Sequence, residues 1–170
     1  MTKELMLLRH AKSSWDDPEV QDHERPLNKR GKQNAITMGK YLKRERLVPD
    51  LIISSTAKRA NKTANIIAKT SGYEKKMLES EMLYSAIPEN YKKVINEIPD
   101  KNNKVLLVGH NPILEEVIAR ILGESRIMKT CSLAHIELSL DSWKQFSFNT
   151  KSKLIDLVVA RELEEGIIDN

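Results

Sequence analysis

Apolar residues gather along this chain in three short runs, Leu5 to Leu8, Leu51 to Ile53 and Val105 to Val108. Each run is too short for a helix and is followed by polar residues, as expected of strands buried on both faces in a parallel sheet. Between the runs the apolar period changes to that of a helix. Ala35, Met38 and Leu42 mark one helix over residues 31–46, and Ala60, Ala64, Ile67 and Ala68 a second over 57–70. Tyr91, Val94, Ile95 and Ile98 form the clearest amphipathic stripe, with Pro88 near its start and Pro99 beyond its end. A fourth helix comes after Pro112 through Leu114, Val117, Ile118, Ile121 and Leu122, and Gly123 is a natural stop.

The last third changes character. Ala134, Ile136, Leu138 and Leu140 alternate with His135, Glu137 and Ser139, which predicts a strand with one wetter face, then a turn at Asp141-Ser142. Residues 143–148 and 154–159 read as further strands. The expected fold is α/β with three α/β/α layers, a mostly parallel mixed sheet flanked by helices. No repeat, linker or low-complexity tract divides residues 1–170, so one domain is expected.

Composition narrows the function without choosing it. The chain has 170 residues, 40% hydrophobic and 31% charged, within the range of ordinary globular domains. One cysteine, Cys131, excludes an internal disulfide framework and any multi-cysteine metal cage. The histidines lack metal-ligand spacing, so neither a metal nor another cofactor is expected. No apolar run approaches the roughly 20 residues of a membrane helix, and no signal peptide is evident. The expectation is a cytoplasmic protein. Net charge is +4, but residues 24–62 hold eleven Lys or Arg against three acids, a local +8 that leaves the rest at −4. Such asymmetry suits an anionic partner. With only 5% aromatic residues there is little for stacking bases, which disfavours nucleic acid.

The polar residues at the end of each apolar run are more specific. Arg9-His10 comes after the first, residues 54–59 with Arg59 after the second, and Gly109-His110-Asn111-Pro112 after the third. The carboxyl ends of parallel strands share one edge, where ligands of open α/β sheets bind. Two arginines and two histidines would therefore converge. Arginine forks clamp a phosphoryl group, a neutral imidazole can attack its phosphorus, and a second imidazole can donate to its oxygens, all without a metal.

The segment LMLLRHAKSSWDD resembles the strand and catalytic loop of the histidine phosphatase superfamily, and more closely that of its small SixA-type phosphohistidine phosphatases. RPLNKRG, LIISSTAKRANKTA and VLLVGHNP are similar to its later motifs in the same order, over most of residues 4–122. The resemblance implies a histidine phosphatase fold without large lid insertions. It implies His10 as the phosphorylated nucleophile, Arg9 and Arg59 as phosphate clamps, and His110 as the second histidine of the pocket. Arg25 would join the phosphate site or form a surface salt bridge, and Ser13 is close enough to His10 in sequence to touch an anion.

The chain departs from the wider superfamily in two places. Ala11 stands where glycine usually follows the histidine, as also occurs in SixA-like members. The carboxylic acid that larger members use on the leaving group has no clear counterpart; Glu81 is the nearest candidate, with Asp16 and Asp17 behind it. An alkoxide needs such an acid more than an imidazole does, so a phosphohistidine protein is the favoured substrate. The alternatives are a small phosphoester, turned over by a phosphomonoesterase or mutase, and a non-catalytic binding module. His23 reads as a solvated loop residue, Cys131 as unactivated, and Trp15 either as a pocket-mouth residue or as packed over the loop.

Overall fold

The computed structural model describes residues 1–166. Its strands are β1 (Lys3–Arg9), β2 (Leu51–Ser55), β3 (Leu78–Ser80), β4 (Lys104–Gly109), β5 (Ser132–Leu138) and β6 (Ser152–Val159). They form one sheet in the order β3-β2-β4-β1-β5-β6. The four strands from β3 to β1 run parallel, while β5 and β6 join antiparallel. The three apolar runs are therefore the three central parallel strands, and their carboxyl ends do share one edge.

Helices α1 (Lys29–Arg44) and α2 (Lys58–Ser71) pack Met38, Leu42, Ala64 and Ile67 on one face of the sheet, against Met6, Leu8, Ile52 and Leu106. On the other face α3 (Pro88–Asn96) and α4 (Ile113–Leu122) bring Val94, Ile95, Val117 and Ile118 to Leu5, Leu7, Val105 and Leu107. Each leucine fully buried in this way contributes about 1.5–3 kcal/mol of transfer free energy. Adjacent strand residues thus serve opposite cores, which is why the runs show no alternation. Pro88 occupies the first turn of α3, and α4 stops at Gly123 in the left-handed region (φ 77°).

Three parts differ from the sequence pattern. Residues 143–148 are not a strand. Trp143–Gln145 form a single 3₁₀ turn, capped by Ser142 and Gln145, which buries Trp143 and Phe146 on one side because residues three apart eclipse in such a turn. The short edge strand β3 and a final helix α5 (Ala160–Glu164) carry no distinctive period. The wetter face of β5 holds in part: Glu137 is half-buried and Ser139 exposed, but His135 is buried and pairs with Glu4 of β1 at 2.8 Å. No helix of the described residues is long and apolar enough to cross a membrane.

Candidate active site

The loop after β1 is held from two directions. His10 N–H donates to Gly109 O (2.9 Å), continuing the β1–β4 pairing one residue past the strand. Ala11 N–H donates to Thr63 Oγ1 (3.1 Å), whose hydroxyl in turn donates to Arg59 O (2.7 Å) in the first turn of α2. Gly109 is required at the end of β4 because a Cβ there would collide with the Tyr91 hydroxyl. These contacts bring His10, Arg59 and His110 together, all at least 93% buried.

Hydrogen bonding assigns the His10 tautomer. Nδ1 lies 2.7 Å from Ala11 O, which can only accept, so Nδ1 carries the proton. Arg59 Nε approaches Nε2 at 3.3 Å and can only donate, so Nε2 presents its lone pair. The ring stays neutral over a wide pH range. Burial, followed by the charges of Arg59, Arg9 and Arg25, lowers its pKa from 6.5 to about 4.

His110 lies beside it, with ring centroids 5.1 Å apart. Burial, then the neighbouring His10 and Arg59, takes its pKa to about 3. Its Nε2 is 2.8 Å from Ser55 Oγ at the end of β2, whereas its Nδ1 is buried with no protein partner. With the Ser55 hydroxyl donating to Nε2, Nδ1 bears the proton and can donate to an anion.

Asp22 organises the arginines. Its Oδ2 accepts from Arg59 Nη2 (3.0 Å) and Tyr84 Oη (2.7 Å), its Oδ1 from Arg25 Nη2 (3.2 Å), and its peptide oxygen from Arg59 Nη1 (2.6 Å). The Tyr84 hydroxyl, and then the arginines, hold its carboxyl at about 2. Asp22 is therefore a fixed anion and no proton donor at neutral pH. Arg25 also donates to Ser13 Oγ at 2.7 Å, so it makes both an ion pair and a contact inside the loop. Trp15 lies over its guanidinium at 3.6 Å while remaining 73% exposed.

Arg9 is the looser member. It donates through Nη1 to Met128 O (3.0 Å), and its Nε is buried without a partner. Arg9, Arg25 and Arg59 outnumber Asp22 and Glu115, whose charge acts on Arg9, and with both imidazoles neutral this edge keeps an excess of positive charge that suits a phosphoryl group.

Glu81 is exposed in a 3₁₀ turn and its peptide carbonyl accepts from Tyr84 N–H, but its carboxyl makes no hydrogen bond or ion pair with any of these residues, nor do those of Asp16 and Asp17. His23 is not simply solvated, because its Nε2 is 2.9 Å from Thr56 Oγ1 and its ring meets Tyr84 edge-on. Cys131 is fully buried, and burial pushes its thiol pKa up, so it is no nucleophile.

The Histidine phosphatase superfamily (branch 1) model matches residues 5–83, which include Arg9, His10, Asp22, Arg25 and Arg59. An uncharacterized chloroplastic protein of Arabidopsis thaliana is 31% identical over 155 residues, covering 85% of this chain and 71% of that protein. An Agrobacterium tumefaciens structure assigned to the phosphohistidine phosphatase SixA superposes with a TM-score of 0.77 at 28% identity, over 92% of this chain and 97% of the other. The chain belongs to the histidine phosphatase superfamily. Its fold is of the SixA type and lacks large insertions, and the protein is a phosphatase. The protein histidine phosphatase SixA in complex with tungstate shares the same fold, with a TM-score of 0.76 at 18% identity over 94% of this chain and 99% of the other. Sequence motifs pointed to this histidine phosphatase through its strand ends, but not to Asp22, Tyr84, Ser55 or Thr63. Only the placement of Asp22 three residues before Arg25 offered a local hint.

Proposed function

We propose that this phosphatase removes phosphoryl groups from phosphohistidine carried on a cytoplasmic protein, using His10 as nucleophile and no metal. One observation carries the choice of substrate. Asp22, the carboxylate hydrogen-bonded to Arg25, Arg59 and Tyr84, is held ionised, and the Glu81 carboxyl has no hydrogen bond or ion pair with these groups. An alkoxide leaving group would have no acid to protonate it, whereas an imidazole leaves readily after taking a proton from water.

In the first step the His10 Nε2 lone pair forms a P–N bond as the substrate P–N bond breaks, and the departing imidazole keeps that electron pair. Arg9 and Arg59 clamp the phosphoryl oxygens, and His110 Nδ1–H donates to the charge that spreads over them. In the second step water attacks the phosphohistidine, the His10 P–N bond breaks, Nε2 recovers its lone pair and phosphate departs. Arg25 and Ser13 support the anion from the loop, while Asp22 and Tyr84 orient the guanidinium groups.

A competition among a phosphohistidine protein, a sugar phosphate and a phosphoserine peptide tests this reading through kcat/KM ratios. The phosphohistidine protein is expected to lead by about 10²-fold or more, as befits a site without an acid for alkoxide departure. An equal or higher value for either ester overturns the substrate assignment and favours a small-molecule phosphomonoesterase.

A further inference from the structure

Arg9 also lines a cavity of about 440 Å³ together with Lys12, Arg30, Asn34, Lys129 and Arg161. Five cationic side chains border it, and no carboxylate does. Lys129 and Arg161 are answered from outside by Glu162 (3.5 Å) and Glu165 (3.0 Å). Lys12 and Arg30 have no ion-pair or hydrogen-bonding side-chain partner among the described residues, and the Nε of Arg9 is buried without one. Concentrating like charges in a concave site costs stability and focuses the field on anions. Such a volume exceeds the roughly 30 Å³ share of a water molecule by an order of magnitude, so it has room for a tetrahedral oxyanion and for what carries it.

Both walls are built by backbone contacts. Asn28 N–H donates to Lys12 O (3.0 Å) while Asn28 Oδ1 caps Gly31 N (2.7 Å), which sets the start of α1 against the loop after β1. Gly31 is needed there because a Cβ would collide with the Lys12 carbonyl. Arg30 is thereby fixed near Lys12. On the other wall Cys131 N–H is shared by Arg9 O and His10 O (3.1 Å each), and Cys131 O accepts from Ala160 N at 3.1 Å. Cys131 adopts a left-handed backbone (φ 52°), so the chain turns back and sets Lys129 and Arg161 beside Arg9.

We propose that this cavity is a second, non-hydrolytic phosphate-binding site that shares Arg9 with the reacting site. The ligand chemistry is a phosphate-class oxyanion, supplied either as a further phosphoryl group of the substrate or as free phosphate. This goes beyond the substrate reading, since it holds whichever phosphoryl bond is cleaved at His10.

The test titrates the whole protein with inorganic phosphate, followed by backbone amide shifts and calorimetry. The wild type is expected to bind two equivalents. A Lys12→Gln/Arg30→Gln double variant should lose the event that shifts amides of residues 129–131 and 161, yet hydrolyse an aryl monophosphate within twofold of wild type. Arg59→Ala should retain that event while losing hydrolysis, which separates failure of this site from failure of the catalytic reading. One equivalent in the wild type, or two in the double variant, overturns the proposal.

Two further arms separate the sources. If the substrate supplies the anion, a bisphosphate ester exceeds its monophosphate counterpart at least tenfold in kcat/KM, and the double variant abolishes the preference. If free phosphate supplies it, the two esters are equal and added phosphate changes wild-type turnover beyond its competition at His10, an effect the double variant lacks. Amide shifts that are equally large with sulfate and chloride overturn the assignment to phosphate.

Discussion

The two flanks of His10 handle positive charge in opposite ways. Toward α2, Arg25 and Arg59 are tied to Asp22, itself fixed by Tyr84, and both guanidinium groups are nearly inaccessible to water. Toward α1 and α5, Lys12 and Arg30 line a cavity and answer to no carboxylate among the described residues. The first flank is ordered before any ligand arrives, so its donors need little reorganisation when charge develops on a phosphoryl group. The second leaves Lys12 and Arg30 without a carboxylate partner among the described residues, which suits binding rather than transition-state stabilisation. Arg9 is shared between them, anchored only through the Met128 carbonyl.

Substitutions should reveal the contrast. The largest effect belongs to the ordered flank: Arg59→Ala removes the donor facing His10 Nε2 and is expected to lower kcat by about 10²- to 10³-fold, as for a lost oxyanion donor. Asp22→Ala leaves every clamp in place but frees both arginines, and should lower kcat about tenfold with little change in KM, the scale of one charge-assisted hydrogen bond. Steady-state kinetics on a common aryl phosphate measures both. A loss for Asp22→Ala as large as that for Arg59→Ala would make Asp22 more than a positioning residue.

A smaller effect comes from the buried imidazoles. NMR titration of the ring carbons should place His10 at about 4 and His110 at about 3, where an exposed histidine titrates near 6.5. The unfolded chain then binds more protons than the folded one between these values and 6.5. Stability should accordingly fall as pH drops through that interval and stay level above it. A ring titrating near 6.5 in the native protein would remove the electrostatic basis for a neutral nucleophile.

The legible part of the molecule is the part governed by local period. Continuous apolar runs marked β1, β2 and β4, and the residues just beyond them marked His10, Arg59 and His110, because parallel strands must end on one edge. Asp22 escaped notice since its meaning comes from Arg59 and Tyr84, 37 and 62 residues away, while its own surroundings are ordinary polar loop. Trp143 and Phe146 misled in another way. Their spacing of three, read as part of a strand, is the spacing of a 3₁₀ turn. His135 matched an alternating strand, yet its exposure is decided by the neighbouring strands, where Glu4 of β1 meets its ring, and periodicity within β5 does not report them.

The proposed reaction requires that His10 become phosphorylated. Rapid quenching of a turnover reaction with phosphorus-labelled substrate, followed by peptide mapping, tests it directly. An acid-labile, alkali-stable label is expected on the peptide containing His10, and its loss together with turnover in a His10→Ala variant whose circular dichroism matches wild type. Label on another residue, or undiminished turnover in that variant, would contradict it.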